Sequence, residues 1–579
     1  MRRLLSVLLL LTLLALILPV GASAWTISFL YVWDADLPVT EGVLPLGAIQ
    51  WSSVGNRYYL FLPSGLDASN LRVYFISSAT EFTAGGASVP NGGVTDVFVP
   101  GTTVTLTSGK DSYDVTVLQS AAVASVFITT RSRSIEWISL NKNNAESGSL
   151  FVMDAEGNTD YRNDFEYIRV RGNYSFYPDK KSFHIRLNDG APLLGMESAK
   201  TWLLLANYCD LSLLRNAVTF DLADAAGMPF TTDYRFADVY VNAVYCGSYL
   251  LSEKIQVNKR RVAITDLEKA TESLNAYPLF AFPMMGSATY DYGASRYFWI
   301  PEEPEDVTGG YLLQLEMENR YTETASGFVT ARGQSVLVKS PEYVTEAQMR
   351  YISALVRSFE SAVFAEDGVD PATGRHYTEI ADMDSLVGKY IVEELSKNLD
   401  GNRSSFYLFK DSDAVSDKLY FGPVWDYDIA YGNYSESYYD DALTDPKGLL
   451  TAKDNYRYYY WFPALWKHAD FRQAVAEAWE NKYRPLVDVL LGRRAPDENT
   501  GALQSLDDYA ALLSASAAMN FTRWRIFNAE EFPVETGEDY AANIEYLRAF
   551  LTERADYLDA VWLEGVDEKE GTYGWPYDD

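Results

Sequence analysis

Three aspartates within one stretch carry the chemistry that this chain is equipped to do. Residues Tyr390–Gly432 read YIVEELSKNLDGNRSSFYLFKDSDAVSDKLYFGPVWDYDIAYG. The pattern places Asp400 in a loop after an apolar-faced helix (Leu386, Tyr390, Leu395) and immediately before a strand at Ser405–Phe409. Asp426 and Asp428 then follow a second apolar strand in an acidic turn. A carboxylate held rigidly within hydrogen-bond reach of a hydroxyl can orient it for attack. Two carboxylates at i and i+2 share one face of an extended segment. Like charges that close require a counter-ion, and for oxygen donors Mg²⁺ or Mn²⁺ is the natural one. Taken alone, Asp400-Gly401-Asn402 is better read as a solvated turn. Asp426 and Asp428 also fit a surface strand with polar alternation, but Trp425, Ile429 and Tyr431 make the neighbourhood apolar and favour the metal.

Phosphoryl transfer needs such parts, together with a cation against the developing phosphate charge. Lys181 is the candidate, because strand alternation puts it on the face of Phe183, Ile185 and Leu187, with Lys180 pointing the other way into solvent. The preceding turn, Arg171-Gly172-Asn173, offers a donor-rich approach for phosphate. A P-loop is excluded: GMESAKT lacks both the first glycine and the Gly-Lys step. Histidine is scarce, with His184, His376 and His468 far apart, and only Cys209 and Cys246 occur. That excludes a cysteine-based zinc site and argues against a serine-histidine hydrolase. Whether the two cysteines pair is left open.

The elements that must position these residues follow from composition and period. MRRLLSVLLLLTLLALILPVGASAW is a signal peptide: two arginines, an apolar run from Leu4 to Val20, and Ala22-Ser23-Ala24 as the cleavage site, giving residues 1–24. No later segment is apolar enough to span a membrane, so export in soluble form, secreted or at the cell surface, is expected. Eighty acidic against 48 basic residues, net −32, repels nucleic acid and anionic membranes. Residues 25–121 alternate as short strands (RYYLFLP, LRVYFIS, TVTLTS, YDVTVLQ) and predict an all-β sandwich of immunoglobulin-like type. Its expected role is attachment, to a surface polysaccharide or a protein. Residues 122–340 mix strands with a helix near Leu211–Ala226, and 268–306 read as an irregular insertion. From 341 to 564 the helical period dominates, opening with a capping box at Thr345 and Gln348, and 565–579 read as a disordered acidic tail. The fold class is α+β, with a two-lobed arrangement expected.

In order, RVRGNYS with KKSFHIRL, KTWLLLANYCDLSLLRNAVTFDLADAAG, DVYVNAVYCGSYLLSEKI, GGYLLQLEME, ELSKNLDGNRSSFYLFKD and FGPVWDYDIAYGN resemble the CotH family of spore-coat protein kinases and their secreted relatives. The resemblance implies an atypical protein-kinase-like fold, ATP and a divalent metal as cofactors, and transfer of the γ-phosphoryl group to Ser or Thr of a protein substrate. Residue by residue, it makes Asp400 the catalytic aspartate, Asp426 the metal aspartate with Asp428 auxiliary, and Lys181 the nucleotide-phosphate lysine. Arg215 and Asp210 resemble a structural and phosphate-proximal pair, and Glu253 falls near the connection between lobes. The chain departs from the kinase pattern at Ser405, where a metal-binding Asn is common; Asn398 or Asn402 are the substitutes.

The expectation is therefore an exported, metal-dependent Ser/Thr protein kinase. Two other readings stand beside it: an inactive kinase-like scaffold that binds carbohydrate or protein at the cell surface, and, on the 14% aromatic content, a carboxylate-pair glycosidase, for which no pair is singled out.

Overall fold

The computed structural model describes residues 27–36, 45–52, 57–77, 81–109, 111–399, 404–434, 443–451, 461–524 and 539–566. The expected signal peptide, the acidic tail beyond 566, and the loop residues Asp400 and Asn402 lie outside the described residues. The chain is mixed α/β with an N-terminal all-β region. It divides into two compact units, neither of them one continuous stretch. The first takes residues up to Leu211, Asp233–Lys254 and Tyr509–Ala529; the second takes Ser212–Thr232, Ile255–Asp508 and the residues from Glu530 on.

In the first unit, the all-β region is a nine-stranded sheet among the described residues. Its pairs are antiparallel except for Arg57–Leu62, which runs parallel to Asp111–Gln119. Alternation builds it: Leu71, Val73 and Phe75 are buried while Arg72 and Tyr74 between them are not. Seven further strands close into a barrel. The neighbour order is Ala124–Thr130, Glu146–Met153, Thr159–Val170, Phe183–Ala191, Ala199–Leu205, Val244–Glu253 and Tyr234–Val241, the last pairing parallel with the first. Val126, Ile128, Leu150, Val152, Ile185, Leu187, Trp202 and Val239 fill its core. The turn joining its last two strands has positive φ at both Asn242 and Ala243, the geometry that matches strand twist in a two-residue hairpin.

The all-β region is not a detached module. Phe61 stacks on Tyr245 of the barrel at 4.7 Å, and Phe127 and Tyr240 extend the same core. A Cβ on Gly65 would lie 2.2 Å from the Gly157 nitrogen, so only glycine permits that approach. Cys209 and Cys246 form no disulfide.

The second unit holds a seven-stranded antiparallel sheet, ordered Met284–Gly286, Ser295–Phe298, Ser326–Val329, Ser335–Ser340, Tyr311–Glu316, Phe406–Lys410 and Tyr420–Phe421. The segment 268–306 is thus not irregular, since it supplies the two strands at one edge. Helix Glu346–Phe364 starts at the expected capping box, with Thr345 and Gln348 satisfying each other's backbone N–H groups. Among the described residues, no helix is long and apolar enough to cross a membrane.

Candidate functional site

Helix Met383–Ser396 begins at Asp382, whose carboxylate caps the Ser385 N–H, and every residue from Ser385 to Ser396 is buried. A helix buried on all sides must satisfy its charges internally. Glu393 does so against Lys389 at 2.5 Å and the Tyr427 hydroxyl at 2.6 Å; Glu394 takes Arg554 at 2.6 Å. The Tyr427 pKa is raised well above the ordinary phenol value, by burial first and then by the Glu393 charge. The helix ends where Lys397 turns left-handed (φ 46°), which carries the chain to the buried Asn398.

Asn398 Nδ2 donates to the Asp426 carbonyl at 3.0 Å, and Ser405 Oγ, one residue before strand Phe406–Lys410, donates to Asp426 Oδ2 at 2.8 Å. The site that the sequence divides among three segments is therefore assembled in two of its parts. The third part, Asp400, falls outside the described residues.

The loop carrying Asp426 and Asp428 is not the extended segment expected. The strand stops at Phe421, and Asp426 has φ 71°, a left-handed conformation that Asp tolerates better than most residues. The i, i+2 strand argument for a shared face therefore does not apply here. What keeps both carboxylates at the surface is the anchoring of their neighbours. Trp425 stacks on Phe220 at 5.8 Å; Tyr427 N donates to Asn216 Oδ1 at 2.8 Å; Tyr431 N donates to Ser396 O at 2.7 Å. Arg215 is fully buried, and its Nε donates to Ala430 O at 2.9 Å, so it braces this loop from helix Arg215–Ala225. Asn433 Nδ2 holds Asp428 O at 2.7 Å. Asp426 and Asp428 remain half-buried around the buried Tyr427.

In the first unit, the two lysines stand opposite to expectation. Lys180 is completely buried, donating to Ala206 O at 2.6 Å and Ser248 O at 2.7 Å with its ammonium over the Tyr249 ring. Burial pushes its pKa down to about 7, partly opposed by Asp238. Lys181 is the partly exposed one, donating to the carbonyls of Phe176 and Tyr177 at 2.8 and 3.1 Å. Residues 177–180 are bends and 181–182 are irregular, so the alternation set by Phe183 does not extend back to them. Lys181 shares its loop with Arg171 and with Asn173, whose Oδ1 accepts from Lys142 Nζ at 2.6 Å. Asp210 is buried, and Glu253 ends a barrel strand with Oε2 facing the Asp233 N–H at 3.4 Å.

Asn216, Glu393, Tyr427 and Lys142 were not singled out by sequence reasoning. The i, i+4 spacing of Lys389 and Glu393 could have flagged Glu393; nothing local flags Asn216.

The oxygen donors Asp426, Asp428 and Asn398 are of the type that Mg²⁺ and Mn²⁺ take, and Asp426 Oδ1 accepts no hydrogen bond from any described residue. Among the described residues, no group of three or more His, Cys, Asp or Glu is placed to hold a metal ion. The donor set fits the ion in type, with Asp400 outside the description.

Such a centre, carboxylate and amide oxygens on a braced loop without imidazole or thiolate, defines a carboxylate-based site in a mixed α/β chain. Residues 168–558 match the family described as CotH kinase protein, and the chain belongs to that family. Membership brings kinase-type chemistry, for which ATP and a divalent metal are the general requirements. No curated relative matches. A solved structure from Bacteroides thetaiotaomicron, described as a candidate glycoside hydrolase, aligns over 58% of this chain and 89% of its own at 14% identity. Its TM-score is 0.12, and it carries no argument about fold or activity.

Proposed function

We propose that this protein is an exported CotH-type protein kinase that transfers the ATP γ-phosphoryl group to Ser or Thr of secreted or surface proteins. The matched region would adopt the kinase-like fold of its family, and the N-terminal strands would serve as an immunoglobulin-like attachment module. The supporting observation is that Asn398 and Ser405, from the two ends of the Asp400 loop, both bond to Asp426.

Asp426, Asp428 and Asn398 would hold the divalent ion, which when bound neutralises charge on the phosphates. Ser405 fixes the Asp426 carboxylate, and the Asn216, Arg215 and Ser396 contacts keep the loop from moving. Asp400 accepts the proton of the acceptor hydroxyl as its oxygen bonds to the γ-phosphorus. The bond from that phosphorus to the bridging oxygen breaks, and ADP leaves. By the family resemblance, Lys181, with Arg171 and Asn173 on the same loop, would be the cation for the phosphates.

The test is incubation of the purified mature chain with labelled ATP, Mn²⁺ and secreted proteins of the host. Wild type is expected to transfer label and Asp400→Ala to transfer none while melting normally. Autophosphorylation retained in Asp400→Ala, read by mass spectrometry, excludes the assignment.

A further inference from the structure

A cavity of about 560 Å³ lies against the barrel strands Ala124–Thr130, Glu146–Met153, Thr159–Val170 and Phe183–Ala191. None of the residues assigned above lines it. Ten of its eleven lining residues precede residue 168, where the family match begins. Its volume is in the range of small-molecule sites.

Several polar groups of this cavity have no partner among the described residues, although Thr130, Glu166 and the Asn188 Nδ2 do. The Arg133 guanidinium donates to no described residue; its Nη1 is sealed from water without an acceptor, and burial lowers the Arg133 pKa from its ordinary value. The Arg133 backbone is held in the left-handed region (φ 61°), unusual for a residue with a side chain. The hydroxyls of Thr129, Ser147 and Ser149 line the same cavity and hydrogen-bond to no described residue.

A guanidinium nitrogen sealed from water without an acceptor is costly, and an oxyanion supplies the strongest partner for it. A bare anion does not fit the rest of the lining, however. Asp164 stands there as a carboxylate in no ion pair with a described residue, beside Glu166, which is already paired with Arg186 at 2.9 Å. The exposed Asp164 carboxylate and the Asn188 Oδ1 can accept hydrogen bonds from a ligand's hydroxyls in place of water. A ligand satisfying both sides carries one anionic group and several hydroxyls. We propose that this cavity binds an acidic sugar, with Arg133 on its carboxylate or phosphate and Asp164, Asn188 and the serine hydroxyls on its ring hydroxyls. This proposal does not rest on the kinase reading.

The test is calorimetric titration of the full mature chain with glucuronate and glucose 6-phosphate, alongside glucose and inorganic phosphate. At least one acidic sugar is expected to bind, the carboxylate and phosphate arms showing which anion is preferred. Glucose and phosphate are each expected to bind at least tenfold more weakly. Arg133→Gln is expected to weaken binding tenfold or more with an unchanged or higher melting temperature in the absence of sugar. If that variant fails to fold, Asp164→Asn decides instead, with the same expected loss. The proposal is overturned if neither acidic sugar binds, if phosphate alone binds as tightly, if the variant that decides binds like wild type, or if MgATP displaces the sugar.

Discussion

Replacing Ser405 by alanine removes one hydrogen bond at the candidate centre and little else. Ser405 Oγ donates to Asp426 Oδ2 at 2.8 Å, and the serine is 6% exposed, so water does not readily take its place. A hydrogen bond to a charged group contributes about 1.5–3 kcal/mol. Asp426 is half-buried, so the lower end, about 1.5 kcal/mol, applies. At 1.4 kcal/mol per factor of ten, this is roughly a tenfold loss. The loop itself stays in place, because Asn398 still holds the Asp426 carbonyl and Asn216 still holds the Tyr427 N–H. Stability should therefore change by no more than that bond's own contribution, about 1.5 kcal/mol. The assay is the initial rate of autophosphorylation against MnATP concentration, with urea unfolding as the control. Ser405→Ala is expected to lower kcat/KM about tenfold, and Ser405→Thr, which keeps the hydroxyl, to recover most of it. A Ser405→Ala rate within twofold of wild type, while Asp426→Asn is inactive, would refute the positioning argument. So would a large fall in the urea midpoint, which would make Ser405 a folding residue instead.

Lys180→Met strands two buried carbonyl groups and should cost about 2 kcal/mol or more, whereas Lys181→Met should leave urea unfolding within about 0.5 kcal/mol of wild type. Phosphoryl transfer is expected to fall in the Lys181 variant, and an unchanged rate there would remove it from the site. His184 has its pKa pushed down to about 3, by burial first and then by Lys254, Arg169, Arg171 and Arg186, so it stays neutral in the folded chain. Its unfolded value is about 6.5, so its contribution to stability is complete above that pH and is lost as pH falls towards 3, at up to about 1.4 kcal/mol per unit. His184→Gln should flatten that part of the stability profile, and an unaltered slope in urea titrations from pH 4 to 7 would contradict it. Arg554→Met leaves the Glu394 carboxylate buried without its cation and should cost about 3–5 kcal/mol by equilibrium unfolding. A loss below 1 kcal/mol would mean that the Leu450 and Thr451 N–H groups satisfy Glu394 alone.

What was legible in the sequence is what short-range pattern encodes. The capping box at Thr345 and Gln348, the strand alternation at Leu71, Val73 and Phe75, and the apolar setting of Asp426 each follow from neighbours a few residues away. The expected burial of Lys180 and Lys181 failed for a related reason. Alternation holds only inside a strand, and carrying it back from Phe183 across residues 177–182, none of them strand, placed Lys180 and Lys181 in the wrong environments. The segment 268–306 looked irregular because its two strands are only three and four residues long, too short for any period to show.

The bracing of the Asp426 loop was illegible for another reason: its partners are remote. Asn216 and Arg215 reach it from more than two hundred residues away, and no spacing rule ranks one asparagine above another. Glu393 and Glu394 lie between these cases. Two adjacent carboxylates in a helix that is buried along its length must each find a cation or several donors. Lys389, one turn earlier, follows from helical geometry, but Arg554 does not. The helix that delivers the Asp400 loop is therefore locked by one local and one distant ion pair. Because Tyr427 also bonds to Glu393, the local pair joins that helix directly to the residue between the two aspartates. Loosening the pair should reach the site before it unfolds the chain, so Lys389→Met is expected to depress activity at temperatures where the protein is still folded.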